Sequence, residues 1–576
     1  MSKSDQKKAI IVGAGAGGIA TAARLAKCGF SVTVLEKNSF TGGRCSLIHH
    51  EGYRFDQGPS LLLLPKLFKE TFHDLDTSLE DEDIQLLRCP TNYAVWFADG
   101  ERFELSTDLT SMKAQVERWE GKDGFRSYLA WLREAHQHYE LSVSEVLHRN
   151  FISIWQLAAP RFILAGLKMH PLNTIWGRAS KYFRTERLRR VFTFATMYMG
   201  MSPFDAPATY SLLQYTELTE GIWYPRGGFH AVLAALVKVG ERLGVEYRLN
   251  APVENVITHP DGKFARGVRL ESGEALEADV VIINADLVYA YSNLIPQTPS
   301  IQDYSKSLRQ KDGSCSSISF YWSLNRKVPE LQTHNIFLSD EYRESFDAIF
   351  DRKSLPEEPS FYINVPSRID PTAAPDGCDS IIALVPTGHL SQSRGVLESD
   401  IGLPRDQDWP ALIERARQCV LSTIEARTGC EPLEKHITHE IVNNPQTWED
   451  KFNLDKGSIL GLSHSFFNVL AFRPGTRARG GLANVHFVGA STHPGTGVPI
   501  VLAGARLTAS QVLNDFGMRV PWQEKPPVVA DQGIPQTEMT GKLDRIQNPS
   551  SLGAIMWLLL GVWVIYVLRH WYPGIF

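Results

Sequence analysis

Six small residues near the start of the chain, Gly13-Ala14-Gly15-Ala16-Gly17-Gly18, have the spacing of a dinucleotide-binding loop. In such a loop Gly13 makes the tight turn, Gly15 lets a pyrophosphate approach the backbone, and Gly18 lets a helix pack closely on a strand. Glu36 follows at the distance of about 20 residues at which an acid binds a ribose hydroxyl. These residue types predict binding of a dinucleotide cofactor.

The segments on either side of this loop have the pattern of a strand, a helix and a second strand. Residues 9–12 are apolar, a helix of small residues is predicted to about residue 27, and residues 32–35 are apolar again. The helix N-terminus offers free N–H groups and the positive end of its dipole to phosphates. The alternatives are a glycine turn without a ligand and a secretory signal, but glycines interrupt the apolar core that a signal needs. We therefore expect a Rossmann-like α/β domain.

The residues that follow favour FAD over a nicotinamide dinucleotide. Thr41-Gly42-Gly43-Arg44 adds a second glycine pair and a cation that can bind a phosphate held by the first loop. Gly58-Pro59 lies in another stretch where the backbone must come close to a flat or rigid group. The sequence has no second GxGxxG between a strand and an acid, which a flavoprotein reduced by NAD(P)H usually has. We therefore expect an FAD enzyme whose electrons come from an organic substrate.

Composition argues against several classes of function. The formal charge of −5 gives no global reason to bind nucleic acid, and 576 residues leave room for two or three domains. The seven cysteines are scattered without a CxxC pair, which suits a reducing compartment and argues against disulfides and structural zinc. His49 and His50 have no further ligands at a metal-binding spacing, so no metal site is expected.

The C-terminal residues form a separate unit in the sequence. Residues 521–550 are rich in Pro, Gln, Asp and Gly and are predicted to form a linker. Residues 552–568 carry no charge and as a helix would span about 26 Å, the short end for crossing a bilayer. We expect a membrane-anchor helix over 551–571, with spanning favoured over lying flat and a buried core helix as the alternative. The default location is the endoplasmic reticulum or another intracellular membrane, with the catalytic domain cytosolic.

Two later parts of the chain return to the nucleotide-binding pattern. A helix is predicted over 229–243, and strands over 245–249, 268–270 and 278–284 are predicted to add to the same sheet. Residues 484–490 predict a further strand, and a turn then leads to a helix over 500–513 whose N-terminus can meet flavin or ribityl oxygens.

This pattern predicts a discontinuous FAD-binding domain that is interleaved with a second, α+β domain for substrate and membrane. The predicted FAD-binding segments are 8–70, 221–300 and 456–516, and the predicted substrate segments are 71–220 and 301–455.

The most specific motif is at residues 484–505, which read NVHFVGASTHPGTGVPIVLAGA. It resembles the signature that closes the carotenoid desaturases of the bacterial and fungal phytoene desaturase type. GIWYPRGG at 221–228 and DPTAAPDGCDS at 370–380 support the resemblance, which runs from about residue 8 to 515. The hydrophobic C-terminal extension resembles the fungal members. One departure is Gly475-Thr476-Arg477, where many bacterial relatives carry His-Asn-Arg.

This resemblance implies the FAD-binding fold of the amine oxidase and GDP-dissociation-inhibitor superfamily. It also implies an oxidoreductase acting on CH–CH groups, which introduces double bonds stepwise into 15-cis-phytoene to give neurosporene- or lycopene-type products. In such an enzyme FAD accepts a hydride from an allylic carbon, a base takes the proton that follows, and the fold supplies an apolar tunnel.

The resemblance further assigns roles to individual residues. Those expected to hold the ADP half of FAD are Gly13, Gly15, Gly18, Glu36, Gly43 and Arg44. Those expected to contact the rest of FAD are Gly489 and Ala490 at phosphate or ribityl groups, Val253 at the adenine, and Gly58, Pro59 and Val498 at the isoalloxazine. His493 is the candidate catalytic base, with a turn-capping histidine as the alternative.

A C40 hydrocarbon has negligible solubility in water, so a lipid bilayer is the expected source of the substrate. Residues 151–190 carry eight Lys or Arg against one acid, Glu186, with aromatic residues between them. Such a segment suits a surface of anionic lipid and is predicted to form the tunnel mouth. The alternative is an ordinary amphipathic helix pair with a solvated basic face.

Three other kinds of function remain as alternatives: another polyene flavoenzyme, an amine oxidase and an escort protein. A carotenoid isomerase or a retinol saturase would act on the same kind of lipid, and a flavin amine oxidase would act on a soluble amine. A non-catalytic escort protein for prenylated partners would lack tightly bound FAD, and the intact glycine loop with Glu36 and Gly43 argues against it. The residues specify no oligomeric state.

Overall fold

The computed structural model describes residues 6–151, 156–157, 159–391 and 407–523. The predicted membrane-anchor helix over 551–571 lies outside these residues, as does the predicted linker beyond Gln523. Within the described ranges, no helix combines the length and the apolar character needed to cross a bilayer.

The described residues form strands and helices in alternation. The strands are β1 Lys8–Val12, β2 Ser31–Leu35, β3 Leu47–His50, β4 Tyr53–Asp56, β5 Leu86–Arg88, β6 Tyr93–Trp96, β7 Arg102–Leu105, β8 Trp223–Pro225, β9 Glu246–Arg248, β10 Val253–Thr258, β11 Ala265–Leu270, β12 Ala275–Glu277, β13 Val280–Ile283, β14 Ser316–Leu324, β15 His334–Phe337, β16 Phe361–Asn364, β17 Asp379–Thr387, β18 Ile437–Asn443 and β19 Val485–Phe487. The α-helices are α1 Ala16–Lys27, α2 Pro65–Asp74, α3 Leu109–Ser142, α4 Pro160–Met169, α5 Ile175–Ala179, α6 Glu186–Val191, α7 Leu212–Tyr215, α8 His230–Arg242, α9 Leu287–Tyr289, α10 Pro299–Arg309, α11 Tyr342–Phe350, α12 Trp409–Thr428, α13 Pro445–Phe452 and α14 Val498–Asp515.

A five-stranded parallel sheet, in the order β19-β13-β1-β2-β9, carries the glycine loop. One face packs on α1, α8 and α14, where Ile11 and Ile282 are completely buried. The other face packs on the β10–β11 pair and on residues after β13. Because both faces are covered, the central strands are continuously apolar, as a parallel sheet requires.

The predicted strand over 268–270 differs from the structure. It belongs to β11, which pairs antiparallel with β10 and β12 in a separate three-stranded sheet. Its alternation of buried and exposed residues is that of a strand with one solvated face, whereas β13 is buried throughout. The pattern of β11 therefore distinguishes it from the parallel sheet.

A second, mostly antiparallel sheet has the order β18-β14-β17-β16-β15-β6-β7. Its strands come from residues 93–105 and from residues 316–443, and α12 packs against it. The five-stranded sheet takes its strands from 8–35, 246–283 and 485–487. The predicted domain limits themselves stay a prediction.

The start of the predicted linker is part of the folded structure. Residues Pro521–Gln523 form a short turn, and Trp522 is 2% exposed. The backbone oxygen of Trp522 accepts a hydrogen bond of 3.0 Å from Arg506 on α14, and its indole N–H donates to Ser510 at 2.8 Å. Proline and glutamine are typical of loops, which is why residues 521–523 were predicted to belong to the linker. The buried apolar area of the Trp522 ring holds this turn against α14.

Candidate active site

A single cavity of about 1700 Å³ connects the glycine loop to an apolar region between the helices. This volume exceeds the range of about 300–1,000 Å³ that is typical of sites for one small molecule. Apolar side chains that line it away from the glycine loop include Leu63, Leu64, Val146, Leu147, Phe162, Met169, Met197, Leu212, Leu213, Ile336, Leu460, Phe466 and Phe472. The cavity therefore has room for a cofactor and for a long apolar ligand beside it.

The glycine loop is packed so closely that side chains cannot replace its hydrogens. Gly13 has a φ of 100°, and a Cβ on Gly18 would lie 2.1 Å from the Gly13 carbonyl oxygen. Gly15 precedes the first turn of α1, whose N-terminal N–H groups therefore lie at the cavity wall. This is a cradle that fits a diphosphate.

Asn284 directly follows β13 and was not assigned by the sequence. Its Nδ2 donates to the Gly13 carbonyl oxygen at 3.2 Å, and its backbone N–H donates to Val12 at 2.7 Å. A Cβ on Gly489 would lie 3.2 Å from the Asn284 Oδ1. Asn284 therefore joins β13 to the end of β1 and lies close to Gly489. It stands at the carboxyl ends of the strands, where ligands bind in open α/β sheets.

Glu36 lies at the end of β2 and is 6% exposed. Its Oε2 accepts a hydrogen bond from the Ala14 N–H at 2.8 Å, and its Oε1 accepts from the backbone and side-chain amides of Asn38, each at 2.9 Å. The carboxylate is thereby held rigidly at the cavity wall. This position is consistent with the predicted contact to a ribose hydroxyl.

Arg44 brings a positive charge to the cavity. Burial lowers the pKa of its guanidinium, and the side chain makes no hydrogen bond or salt bridge with any described residue. Asp286, which caps α9, has its pKa raised to about 7, first by burial and then by the nearby Asp455. Asp286 is the anionic neighbour of Arg44, but no described carboxylate forms a salt bridge with it. A buried cation of this kind, placed beside the glycine cradle, fits the diphosphate of a dinucleotide.

The residues predicted to meet the rest of the cofactor surround the same space. A Cβ on Gly58 would lie 2.4 Å from the Arg44 carbonyl oxygen, so this turn admits only glycine. Gly489 has a φ of 133°, and Gly497, with a φ of 96°, precedes α14. The N-terminus of α14 lies at the cavity wall, where it can interact with flavin oxygens.

Most of the residues predicted for FAD line this one cavity. They are Gly13, Gly15, Glu36, Gly43, Arg44, Gly58, Pro59, Val253, Gly489, Ala490 and Val498. Gly18 is not a lining residue, because it faces the strand and allows α1 to approach. The individual contacts to FAD stay predictions.

His493 does not line the cavity. Its ring is 1% exposed, its Nε2 is 2.7 Å from the Arg149 carbonyl oxygen, and it packs edge-on against Phe151. Burial lowers its pKa to about 4, so the ring is neutral at physiological pH. These contacts connect the signature loop to the end of the α3 region, and the catalytic role stays a prediction.

The apolar wall contains a polar network that the sequence did not indicate. Tyr198 and Tyr362 line the cavity, and each hydroxyl is hydrogen-bonded to groups behind it, Glu217 for Tyr198 and His334 for Tyr362. The partners are 19 and 28 residues away in the sequence. The sequence around Glu217 reads QYTELTE, a polar stretch that gives no sign of this network.

The cavity reaches the surface beside α4. Leu172 lines it and is 83% exposed, whereas most apolar side chains of this size are buried. Three of the eight cations in the nearby basic segment form salt bridges: Arg178 with Glu134, Arg187 with Asp99, and Arg190 with Glu186. Phe183, one of its predicted surface aromatics, is completely buried. Its exposed positive charge is therefore smaller than the sequence suggests.

Glu134, His138 and His170 form a cluster whose potential metal-ligand atoms lie within 4.8 Å of one another. Arg178 donates to Glu134 at 2.9 Å, and both ring nitrogens of His138 are hydrogen-bonded, to Ser211 at 2.7 Å and to the Lys168 carbonyl at 3.1 Å. A cation already neutralises the carboxylate, so this geometry favours a structural cluster.

The chain matches the family model of flavin-containing amine oxidoreductases over residues 16–311, about half its length. It therefore belongs to that family of FAD-dependent oxidoreductases, and FAD is its cofactor. An oxidoreductase from Methanosarcina mazei has the same fold, with a TM-score of 0.57 over 87% of this chain and 100% of that one, at 15% identity.

Two curated relatives are much closer in sequence, and both are called phytoene desaturase. The one from Neurospora crassa is 64% identical over 90% of this chain and 87% of its own length. The one from Fusarium fujikuroi is 56% identical over 98% of this chain and 99% of its own length. The chain belongs to the phytoene desaturase family.

Proposed function

We propose that this protein is a phytoene desaturase of carotenoid biosynthesis, which introduces several double bonds stepwise into 15-cis-phytoene to give neurosporene- or lycopene-type products. The observation that carries the proposal is the one continuous cavity, with a diphosphate cradle at one end and apolar side chains along the rest. A flavin site that opens into so much apolar space suits a long hydrocarbon and not a soluble amine. Both close relatives carry the same name.

FAD supplies the chemistry of the reaction, because its oxidised ring accepts a hydride from an allylic carbon. The chain positions the cofactor through the glycine cradle, Glu36 and the buried cation of Arg44. Along the apolar wall, the hydroxyls of Tyr198 and Tyr362 are bonded to buried groups. A hydrocarbon can therefore slide past them without leaving a polar group unsatisfied.

The substrate is proposed to come from a membrane, through the opening beside α4. Exposed Leu172 at the cavity edge supports this route, since a large apolar side chain at a cavity mouth suits contact with lipid. The apolar, uncharged sequence at 552–568 is proposed to anchor the chain to an intracellular membrane such as the endoplasmic reticulum, with the catalytic part in the cytosol.

The test is a visible absorption spectrum of the full chain with FAD and phytoene-loaded liposomes, without NAD(P). New structured bands at longer wavelength are expected, because each added double bond lengthens the conjugated system. Unchanged conjugation would favour an isomerase, and shortened conjugation a saturase. A flat trace from protein with confirmed bound FAD would rule out phytoene as the substrate.

A further inference from the structure

Glu217 is a buried carboxyl group beside the apolar part of the cavity. It is 1% exposed and lies in a π-helical turn, Thr216–Glu220, a rare geometry that is frequent at functional sites. Its carboxyl oxygens accept hydrogen bonds from Tyr198, from Tyr93 at 3.2 Å and from Gln214 at 3.1 Å. All three donors are neutral. Burial therefore dominates and raises the pKa of Glu217 to about 8.

Tyr198 connects this carboxyl group to the cavity. Of the side chains that donate to Glu217, Tyr198 lines the cavity, whereas Tyr93 and Gln214 lie behind the wall. The hydroxyls of Tyr93 and Tyr198 are 2.9 Å apart. Burial and the Glu217 carboxylate hold the pKa of Tyr198 well above its usual range, so the phenol keeps its proton in the resting enzyme.

Tyr198 and Glu217 are linked through neighbouring side chains to the turn that is predicted to face the flavin. The ring of Tyr93 is 6.0 Å from the ring of His334, and His334 Nδ1 is 2.7 Å from the Tyr362 hydroxyl. That hydroxyl is 2.8 Å from Ser60, directly after Pro59. A continuous row of buried polar and aromatic groups thus joins Glu217 to the Gly58–Ser60 turn.

Other acids and bases at the cavity are poorly placed to accept a proton from a hydrocarbon. Four carboxylates line it: Glu36 binds the glycine loop, Asp286 caps α9, and Asp205 and Glu271 are exposed. Of the two lining histidines, His464 already uses Nε2 to accept from the Thr496 N–H at 3.1 Å, and His170 lies beside the Glu134–Arg178 pair. Within the described lining, Tyr198 leads to Glu217, which is fully buried, whereas Tyr139 leads to Glu220, which is only partly buried.

We propose that Tyr198 and Glu217 together accept the proton that the polyene loses when each double bond forms. This inference rests on the proposed desaturase function. After hydride removal, the adjacent C–H bond breaks and its electron pair becomes the new C=C bond. The proton goes to the Tyr198 oxygen while the phenolic proton moves to a Glu217 carboxylate oxygen. The electrons of the hydride remain on FAD, and the proton on Glu217 is released before the next step.

The relay requires ionised Glu217, so the rate of a single desaturation step should rise with pH and level off above about 8. The titratable groups around it are Tyr93 and Tyr198, with His334 and Tyr362 behind them. Burial lowers the pKa of His334 to about 3 and raises that of Tyr362 far above neutrality, so neither titrates in this range. Asp286 at the cofactor end, with its pKa raised to about 7, also titrates in this range. Loss of the rise in Glu217→Gln therefore assigns it to Glu217.

The test compares single-turnover desaturation by FAD-loaded full chain, in phytoene-loaded liposomes, across pH and in H₂O and D₂O. Glu217→Gln keeps an oxygen that can accept from Tyr198 but cannot take a proton, and Tyr198→Phe removes the relay. Each is expected to lower the rate by about 10²-fold or more. Wild type should be slower in D₂O, because the phenolic hydrogen exchanges, and both variants should lose this solvent effect and the rise in rate with pH.

The matched control is Tyr128→Phe. Tyr128 is completely buried, its hydroxyl has no hydrogen-bond partner among the described residues, and it does not line the cavity. It should keep the rate, the pH profile and the solvent effect. If Glu217→Gln does not fold or does not bind FAD, the relay is tested by Tyr198→Phe alone. A Tyr198→Phe enzyme that keeps the wild-type rate and solvent effect would overturn the relay, whereas an inactive wild type with bound FAD would instead refute the desaturase function.

Discussion

The two ends of the cavity are built in different ways. At the cofactor end, the wall consists of backbone groups of glycine turns and of a few residues at strand ends, such as Glu36 and Asn284. At the apolar end, the wall consists of side chains from α3, α4, the segment around Tyr198 and the segment 459–472. Backbone cradles tolerate almost no change, whereas a wall of apolar side chains tolerates many changes that conserve volume. Substitutions at the cofactor end should therefore abolish cofactor binding. Substitutions at the apolar end should change only the rate of substrate conversion or the products.

The largest expected effect is that of Gly18→Val. A Cβ at this position would lie 2.1 Å from the Gly13 carbonyl oxygen, so α1 must move away from β1. The expected cost is about 1–3 kcal/mol or more in stability, with loss of bound FAD. The ratio of flavin to protein absorbance measures the loss.

The control is Gly475→Ala, whose Cβ would have its nearest contact at 3.8 Å, an ordinary distance. It should bind FAD as wild type does. Full flavin occupancy in purified Gly18→Val would contradict the close packing of helix and strand.

A smaller effect is expected from Gly166→Leu at the apolar end. Gly166 lies in α4 and lines the cavity, and a Cβ there would have nothing within 4 Å. Leucine favours the helix by about 1 kcal/mol over glycine, so the fold and flavin content should be unchanged or improved. Added volume in the cavity should slow polyene conversion about tenfold or more, or shorten the series of products.

The measurement is the product spectrum at equal flavin content, with Gly166→Ala as the control that adds a single methyl group. If Gly166→Leu lost FAD and kept its products, the functional separation of the two ends would be wrong.

A separate prediction, on stability alone, concerns Glu217 at the boundary between the polar network and the apolar wall. The pKa of Glu217 is raised from 4.5 to about 8 in the folded protein. The unfolded chain therefore releases this proton at lower pH, and the folded state loses relative stability as pH rises from about 4.5 to about 8. The loss is at most about 1.4 kcal/mol per pH unit, and Glu217→Gln removes it.

The melting temperature of Glu217→Gln minus that of wild type should increase from pH 5 to pH 8 and then stay constant. A difference that does not change with pH would mean that Glu217 titrates normally in the folded protein.

The sequence predicted the cofactor end far better than the apolar end. Glycines at fixed spacing and an acid after the next strand are local signals with a stereochemical cause, and they identified β1, α1, β2 and the cradle. The helix over 229–243 and the strand over 484–490 correspond to α8 and to β19, each shorter in the structure. At the cofactor end, local residue spacing is therefore sufficient to predict the structure.

The apolar end has no comparable local signal. Glu217 and its tyrosines come from separate segments, and only packing brings Tyr93, Tyr198 and Tyr362 close together. The basic segment was interpreted from its composition alone, and the structure pairs two of its arginines with acids from elsewhere, Arg178 with Glu134 and Arg187 with Asp99. Partners that are far apart in the sequence depend on the whole fold and cannot be predicted from residue spacing.

The strand order of the five-stranded sheet also affects biosynthesis. β19, at residues 485–487, joins the edge of β13, and α14 then packs against α1. Until the ribosome has made these residues, β13 has an open edge and α1 lacks its neighbour. An unpaired edge of this kind is prone to aggregate, and distant pairings form slowly. Loading of FAD is therefore expected after translation, so cofactor supply during expression should govern the yield of soluble protein.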